Sequence, residues 1–105
     1  MLTLPIKAAW FSMIESGEKK EEYRATTPYY RARFKSIFAM YPYSFIPCGT
    51  DHQKIRLRNG YAATSPTLEI DCTLDLRTGR EEWGAERGIE YYVLKIFECK
   101  RVDST

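Results

Sequence analysis

A chain of 105 residues holds one modest hydrophobic core and no second one, so a single domain over residues 1–105 is expected. With 44% hydrophobic and 29% charged residues it has the balance of an ordinary globular protein and not of a disordered one, and its net charge of +2 excludes an extreme polyelectrolyte. Cys48, Cys72 and Cys99 are odd in number, more than twenty positions apart and free of any Cys-x-x-Cys pair, which argues against a disulfide framework and against a metal site. No apolar run approaches the roughly 20 residues that span a bilayer, and no basic region precedes an apolar signal core, so a cytoplasmic protein without a membrane partner is expected.

Residues 2–7 read as a short strand, placed at a sheet edge or bulge by Pro5. Residues 8–16 follow as a helix whose Trp10, Phe11 and Ile14 lie on one side. Gly17 falls where that pattern stops and suits the left-handed conformation that closes a helix. The charges of Lys19, Lys20, Glu21 and Glu22 come just past the turn, in a segment from Lys20 to Ala25 that reads as an exposed edge strand. In an extended segment Glu22 and Arg24 share a face, and Lys19 joins them only if the backbone bends after Gly17.

Thr27-Pro28 is a strong helix start, because the threonine can accept an amide hydrogen bond while proline loses nothing in the first turn. Tyr30, Phe34, Ile37 and Phe38 recur on one apolar face of that second helix, Arg31 and Lys35 share another, and Pro42 is expected to end it. Tyr43 to Ile46 reads as a further strand, before a polar loop holding His52, the lone histidine, beside Asp51. Lys54 to Arg58 alternates strictly, with Ile55 and Leu57 inward and Lys54, Arg56 and Arg58 forming a cationic stripe of the kind that protects an edge strand or meets phosphates. Asn59-Gly60 then makes a turn. Thr67 to Leu76 is the clearest strand, residues 77–90 are a polar loop carrying Glu81, Glu82 and Trp83, and Tyr91 to Val102 is apolar enough to be a central strand. Five or six short strands and two helices predict an α+β fold built on a mixed, largely antiparallel β-barrel.

The modest net charge conceals an asymmetry. Residues 19–58 contain nine basic and three acidic side chains, a local +6, interleaved with Tyr23, Tyr29, Tyr30, Tyr41 and Tyr43. Cations with rings between them form the footprint of a nucleic-acid binder, although tyrosines at helical spacing also pack against cores.

The pattern Gly-x-Lys-x-x-Glu-x-Arg formed by Gly17, Lys19, Glu22 and Arg24 resembles the signature of the ASCH domains, relatives of the PUA domain that share its small β-barrel. Upstream, Leu2 to Lys7 followed by Trp10, Phe11 and Ile14 is similar to that family's opening strand and first helix. Downstream, Ile55 to Tyr61 and Glu82 to Ala85 resemble segments of compact bacterial and phage-type members. The resemblance implies a PUA-like barrel and RNA or a nucleotide as the partner, with no cofactor. In the implied site Lys19 meets phosphate or a base acceptor, Arg24 supplies a planar donor, Glu22 orients Arg24 or accepts from a base, Tyr23 or Trp83 stacks, and Lys7, Arg56 and Arg58 add cations. Some ASCH-like proteins resemble acetylcytidine amidohydrolases, and others have been proposed as ribonucleases. That gives a metal-independent hydrolase as the alternative, with Lys19 and Glu22 as its catalytic pair. The amidohydrolase pattern has a threonine three positions after the lysine, where this chain has Glu22, and a distant glutamate, for which Glu81, Glu82 and Glu86 are equal candidates. A protein-interaction module is the third reading.

Overall fold

The computed structural model of the chain describes residues 1–103. Its elements run β1 (Thr3–Pro5), α1 (Ala8–Glu15), β2 (Glu21–Arg24), α2 (Pro28–Lys35), β3 (Gln53–Arg58), β4 (Thr67–Thr78) and β5 (Glu90–Arg101), with a 3-10 turn at Glu81–Trp83 between the last two strands. The five strands form one mixed sheet in the order β1-β3-β4-β5-β2, parallel only between β1 and β3.

The long β4–β5 hairpin is the spine of the sheet. Leu68, Ile70, Cys72 and Leu74 of β4 are all buried, as the alternation of Thr67 to Leu76 requires, and Val93 and Leu94 of β5 are fully buried between β4 and β2. The register slips between Asp71 and Cys72, which pair with Glu98 and Ile96, so Phe97 is the extra residue of a bulge. Burial pushes the Cys72 thiol up to about 12, as expected of a cysteine serving as a small core residue.

Helix α1 buries Phe11 and Ile14 against the sheet. Helix α2 begins as its sequence dictates, with Thr27 Oγ1 accepting from Tyr30 N at 3.3 Å and Pro28 in the first turn. Phe34 anchors it in the core, its ring 5.4 Å from Tyr92 and 6.2 Å from Phe38.

Four expectations need correction. The sheet does not close into a barrel: it curls into a half-barrel, with β1 and β2 as its two edges and no ladder between them among the described residues. The reason is visible at Pro5, which has no amide hydrogen to offer and whose carbonyl accepts from the Arg24 side chain at 2.6 Å. Helix α2 ends at Lys35, well before Pro42, because Ser36 turns its hydroxyl back onto the Arg33 carbonyl at 2.7 Å and the chain tightens into a turn. Tyr43 to Ile46 is a turn and not a strand. Ser44 N donates to Tyr41 O at 3.2 Å, Tyr43 takes a left-handed φ of 58°, and the flanking Pro42 and Pro47 cannot donate to a ladder. The cationic stripe also sits elsewhere than an edge, because β3 lies between β1 and β4.

Phe34 is wholly buried among three rings, so Phe34→Ala is expected to cost about 3–5 kcal/mol. Urea unfolding should show a lower midpoint at unchanged slope; a loss below about 1 kcal/mol would mean that α2 does not contribute to the core as described.

Candidate functional site

The site begins with the turn that ends α1. Gly17 adopts φ 85°, its amide donates to Ile14 O at 3.1 Å, and Lys19 N reaches back to Met13 O at 2.9 Å. A Cβ on Gly17 would meet nothing, so glycine is needed there for backbone conformation and not for space. The chain leaves this turn bent, and Ile96 N fixes Lys20 O at 2.9 Å to start the β2 ladder. The bend swings Lys19 onto the face of Glu22 and Arg24.

The three charges form one buried unit. Lys19 Nζ lies 3.0 Å from Glu22 Oε1 and also donates to the Glu21 carbonyl, while Glu22 Oε2 accepts from Arg24 Nη2 at 2.7 Å. Relative exposure is 1% for Lys19, 6% for Glu22 and 9% for Arg24. Arg24 further donates from Nη2 to Pro5 O at 2.6 Å and from Nη1 to the Tyr30 hydroxyl at 3.1 Å. The Lys19 ammonium stands 5.3 Å from the Trp10 ring and 4.8 Å from the Tyr23 ring, a cation held between two aromatic faces. Burial lowers its pKa despite the opposing pull of Glu22.

A second polar layer holds Tyr23. Its hydroxyl donates to Glu21 Oε1 at 2.8 Å and accepts from Arg80 N at 2.9 Å, and burial raises its pKa to about 12. Burial works to raise the Glu21 carboxyl, but hydrogen bonds from Arg77 and Tyr23 outweigh it and hold the group below its ordinary range. Gly79 passes so close beneath Tyr23 that a Cβ would come within 2.6 Å of the ring, which makes glycine a steric requirement there.

Beside the triad opens a cleft of about 600 Å³, lined by Pro5 to Lys7, Trp10, Glu22 to Arg24 and Arg58 to Tyr61. Parallel pairing of β1 with β3 creates it, by setting Pro5 opposite Arg58 so that both strands run out at the same place. Asn59 Nδ2 ties the two exits together through Ile6 O at 2.8 Å. Helix α1 starts at the same rim with no side-chain cap and no acidic residue in its first turn, leaving its amide dipoles uncompensated by the chain.

Of the residues singled out from the sequence, Lys7, Glu22, Tyr23, Arg24 and Arg58 line this cleft. Lys19 lies behind its wall, and Gly17 shapes the turn without facing it. Arg56 lies apart, on the side of β3 where Glu69 meets it at 3.6 Å and Lys100 at 3.5 Å. Trp83 also lies apart, with the Arg80 guanidinium 4.8 Å from its ring. Neither Glu81, Glu82 nor Glu86 reaches the cleft. His52 pairs with Asp71 at 3.0 Å and not with its neighbour Asp51, which caps Ala39 N at 2.8 Å.

Trp10, Asn59, Gly60 and Tyr61 belong to the cleft but read in the sequence as core, turn and loop. Their convergence depends on the β1–β3 pairing, which no local pattern announces. The lining holds an excess of positive charge: Lys7, Arg24 and Arg58 against Glu22, both of whose oxygens already accept from cations. No cluster of three or more histidine, cysteine or acidic groups suited to a metal occurs among the described residues, and no described helix is long and apolar enough to cross a membrane. Neither a protein family, nor a curated protein, nor a solved structure matches this chain.

Glu22 is the carboxylate shared between two buried cations, so Glu22→Gln is expected to destabilise the fold by about 3–5 kcal/mol in chemical denaturation. A loss below about 1 kcal/mol would show that the triad does not hold the sheet edges.

The lowered Lys19 pKa also has a sign. Between its folded value and 10.5 the unfolded chain binds the extra proton, so Lys19 makes stability rise with pH up to 10.5. Cys72 and Tyr23, with raised values, act oppositely above 9 and 10. The Lys19 contribution is therefore read as the difference between wild type and Lys19→Met, which should grow with pH below 10.5; a flat difference would contradict the burial of a charged amine.

Proposed function

We propose that the cleft binds an anionic nucleotide unit, free or within RNA, and that the half-barrel is the PUA-like scaffold of an ASCH-type domain. The observation that carries this reading is the buried triad of Lys19, Glu22 and Arg24, which keeps a net charge of +1 at the cleft base, with Lys7 and Arg58 on the lining. Charges held in a partly dry wall attract an anion more strongly than the same charges in water, and they need no reorganisation when it arrives.

The roles divide by what each side chain has left to give. Arg24 is committed to Pro5, Tyr30 and Glu22, so it shapes the wall and supplies potential. Arg58 uses Nε on Thr67 Oγ1 at 3.2 Å, leaving its two terminal nitrogens for a phosphate. Lys7 is exposed at the rim beside the uncapped start of α1, where an anion is favoured by both charge and dipole. Trp10 and the exposed Tyr61 offer faces to a base.

A second reading is supported by the depressed Lys19 amine beside the cleft-lining Glu22 carboxylate: acid–base hydrolysis of a modified nucleoside such as an acylated cytidine. Against it stands the lack of a serine, threonine or cysteine on the lining. Turnover of acetylcytidine that disappears in Lys19→Met would favour this reading over binding alone.

For the binding reading, Arg58→Ala and Lys7→Ala are each expected to weaken binding of a nucleoside monophosphate and of single-stranded RNA about tenfold in a titration at low salt, with folding unchanged by circular dichroism. Wild-type affinity in both variants would remove the cleft as the binding site.

A further inference from the structure

A second surface has a composition that the cleft does not explain. From Ala25 to Thr50 the chain carries no aspartate or glutamate, while α2 carries Arg31, Arg33 and Lys35. None of these three cations has a carboxylate within salt-bridge distance among the described residues, although Glu90 shares a small cavity with Arg31. They are arranged over rings instead: Arg31 at 4.5 Å and Lys35 at 4.9 Å from the Phe45 centroid, and Arg33 at 4.0 Å from Tyr29. Arg31 Nε is buried without a hydrogen-bond partner.

The rings themselves face solvent. Tyr29, Tyr41 and Phe45 are 54%, 56% and 42% exposed, and Tyr43 is fully so. Tyr43 is also the one non-glycine residue with positive φ among the described residues, a conformation that costs free energy and that here holds a large ring out in water. Exposed rings interleaved with unpaired guanidinium and ammonium groups match a chain that carries both regular negative charge and flat faces.

This surface is continuous with the cleft. Arg24, on the cleft wall, donates to Tyr30, whose ring lies 5.1 Å from Tyr29, and Tyr29 lies under Arg33. We infer that the outer face of α2 and the Tyr41–Ile46 turn form a track for single-stranded nucleic acid, whose backbone meets Arg31, Arg33 and Lys35 while its bases stack on Tyr41 and Tyr43. The direction of the track, outward from the cleft past Tyr30 and Tyr29, rests on the nucleotide reading of the cleft; the surface itself does not.

The test compares a nucleoside monophosphate, a labelled single-stranded oligonucleotide of about ten residues as RNA and as DNA, and an acidic peptide of similar length. Two variants of the full chain are used, Arg31→Gln/Arg33→Gln/Lys35→Gln and Tyr41→Ser/Tyr43→Ser, all at exposed or part-exposed positions outside the cleft lining. The charge variant should lower oligonucleotide affinity about 10- to 100-fold at low salt and reduce the slope of log affinity against log salt by about 2, as expected for three lost phosphate contacts on a single strand. The tyrosine variant should lower that affinity about tenfold with the slope unchanged. Monophosphate binding should stay within about twofold in both. Loss of oligonucleotide binding without any monophosphate binding in the wild type would sink the cleft reading and leave this one standing. Unchanged oligonucleotide affinity in both variants, or tighter binding of the acidic peptide than of the oligonucleotide, overturns it.

Discussion

The Glu22 carboxylate, shared between Lys19 and Arg24, is the constraint on which the rest of this structure depends. A five-stranded half-barrel leaves two edges, β1 and β2, and here the edges are joined by a guanidinium and not by a ladder. Arg24 can span from β2 to the Pro5 carbonyl because Glu22 neutralises it from the same strand face, and Glu22 can be buried because Lys19 neutralises its other oxygen. Removing one member leaves an unpaired charge in a place that water barely reaches, the circumstance in which buried ions become strongly destabilising. The same unit binds α2 through Tyr30, so the helix, both sheet edges and the cleft wall share one set of hydrogen bonds.

That arrangement explains why the α1 turn is built as it is. Gly17 reverses the chain, Lys19 is pinned by its amide to Met13, and the side chain is then delivered between Trp10 and Tyr23. Behind it, Arg77 and Tyr23 hold Glu21, and Gly79 allows the end of β4 to approach the Tyr23 ring. Each layer fixes the rotamers of the one in front, which keeps the charges at the cleft in place without help from a ligand.

Much of this was legible in the chain. Gly17, the need for a bend before Lys19, the shared face of Glu22 and Arg24, the Thr27-Pro28 helix start and the Thr67 to Leu76 strand are local signals: cap chemistry, positive φ and periodicity of two. The failures are where local pattern yields to tertiary placement. Pro42 and Pro47 suppress a strand that the aromatic run from Tyr43 to Ile46 suggests, and a serine hydroxyl at position 36 ends α2 early although Phe38 still packs in the core. The alternation of Lys54 to Arg58 reveals which side chains turn inward but not that β3 is an interior strand, and so not that Arg58 reaches the cleft while Arg56 pairs with Glu69. Asn59 to Tyr61 show the same limit, since their nearness to the cleft is decided by a parallel pairing across more than fifty residues, and nothing local in the chain shows that Trp83 lies away from it.

Three buried charges are an expensive way to tie together the edges of a small open sheet. Apolar residues of similar volume would serve stability as well or better, because the Coulombic gain within such a group seldom exceeds the cost of drying it. A fold of this size has little stability to spare, so a network of this kind argues for a use beyond holding β1 to β2. An apolar substitute would hold the edges together but leave the cleft wall without charge. The present network ties the two sheet edges together and keeps one net positive charge beside a cavity whose free donors, on Lys7 and Arg58, are also positive. Under the anion-binding reading proposed above, the locked cations set the potential and the free ones are left to make the contacts, so that an anion would enter without disturbing the bonds that hold the fold together. In the proposed anion-binding role, that separation of labour is what would let one cluster serve both stability and binding.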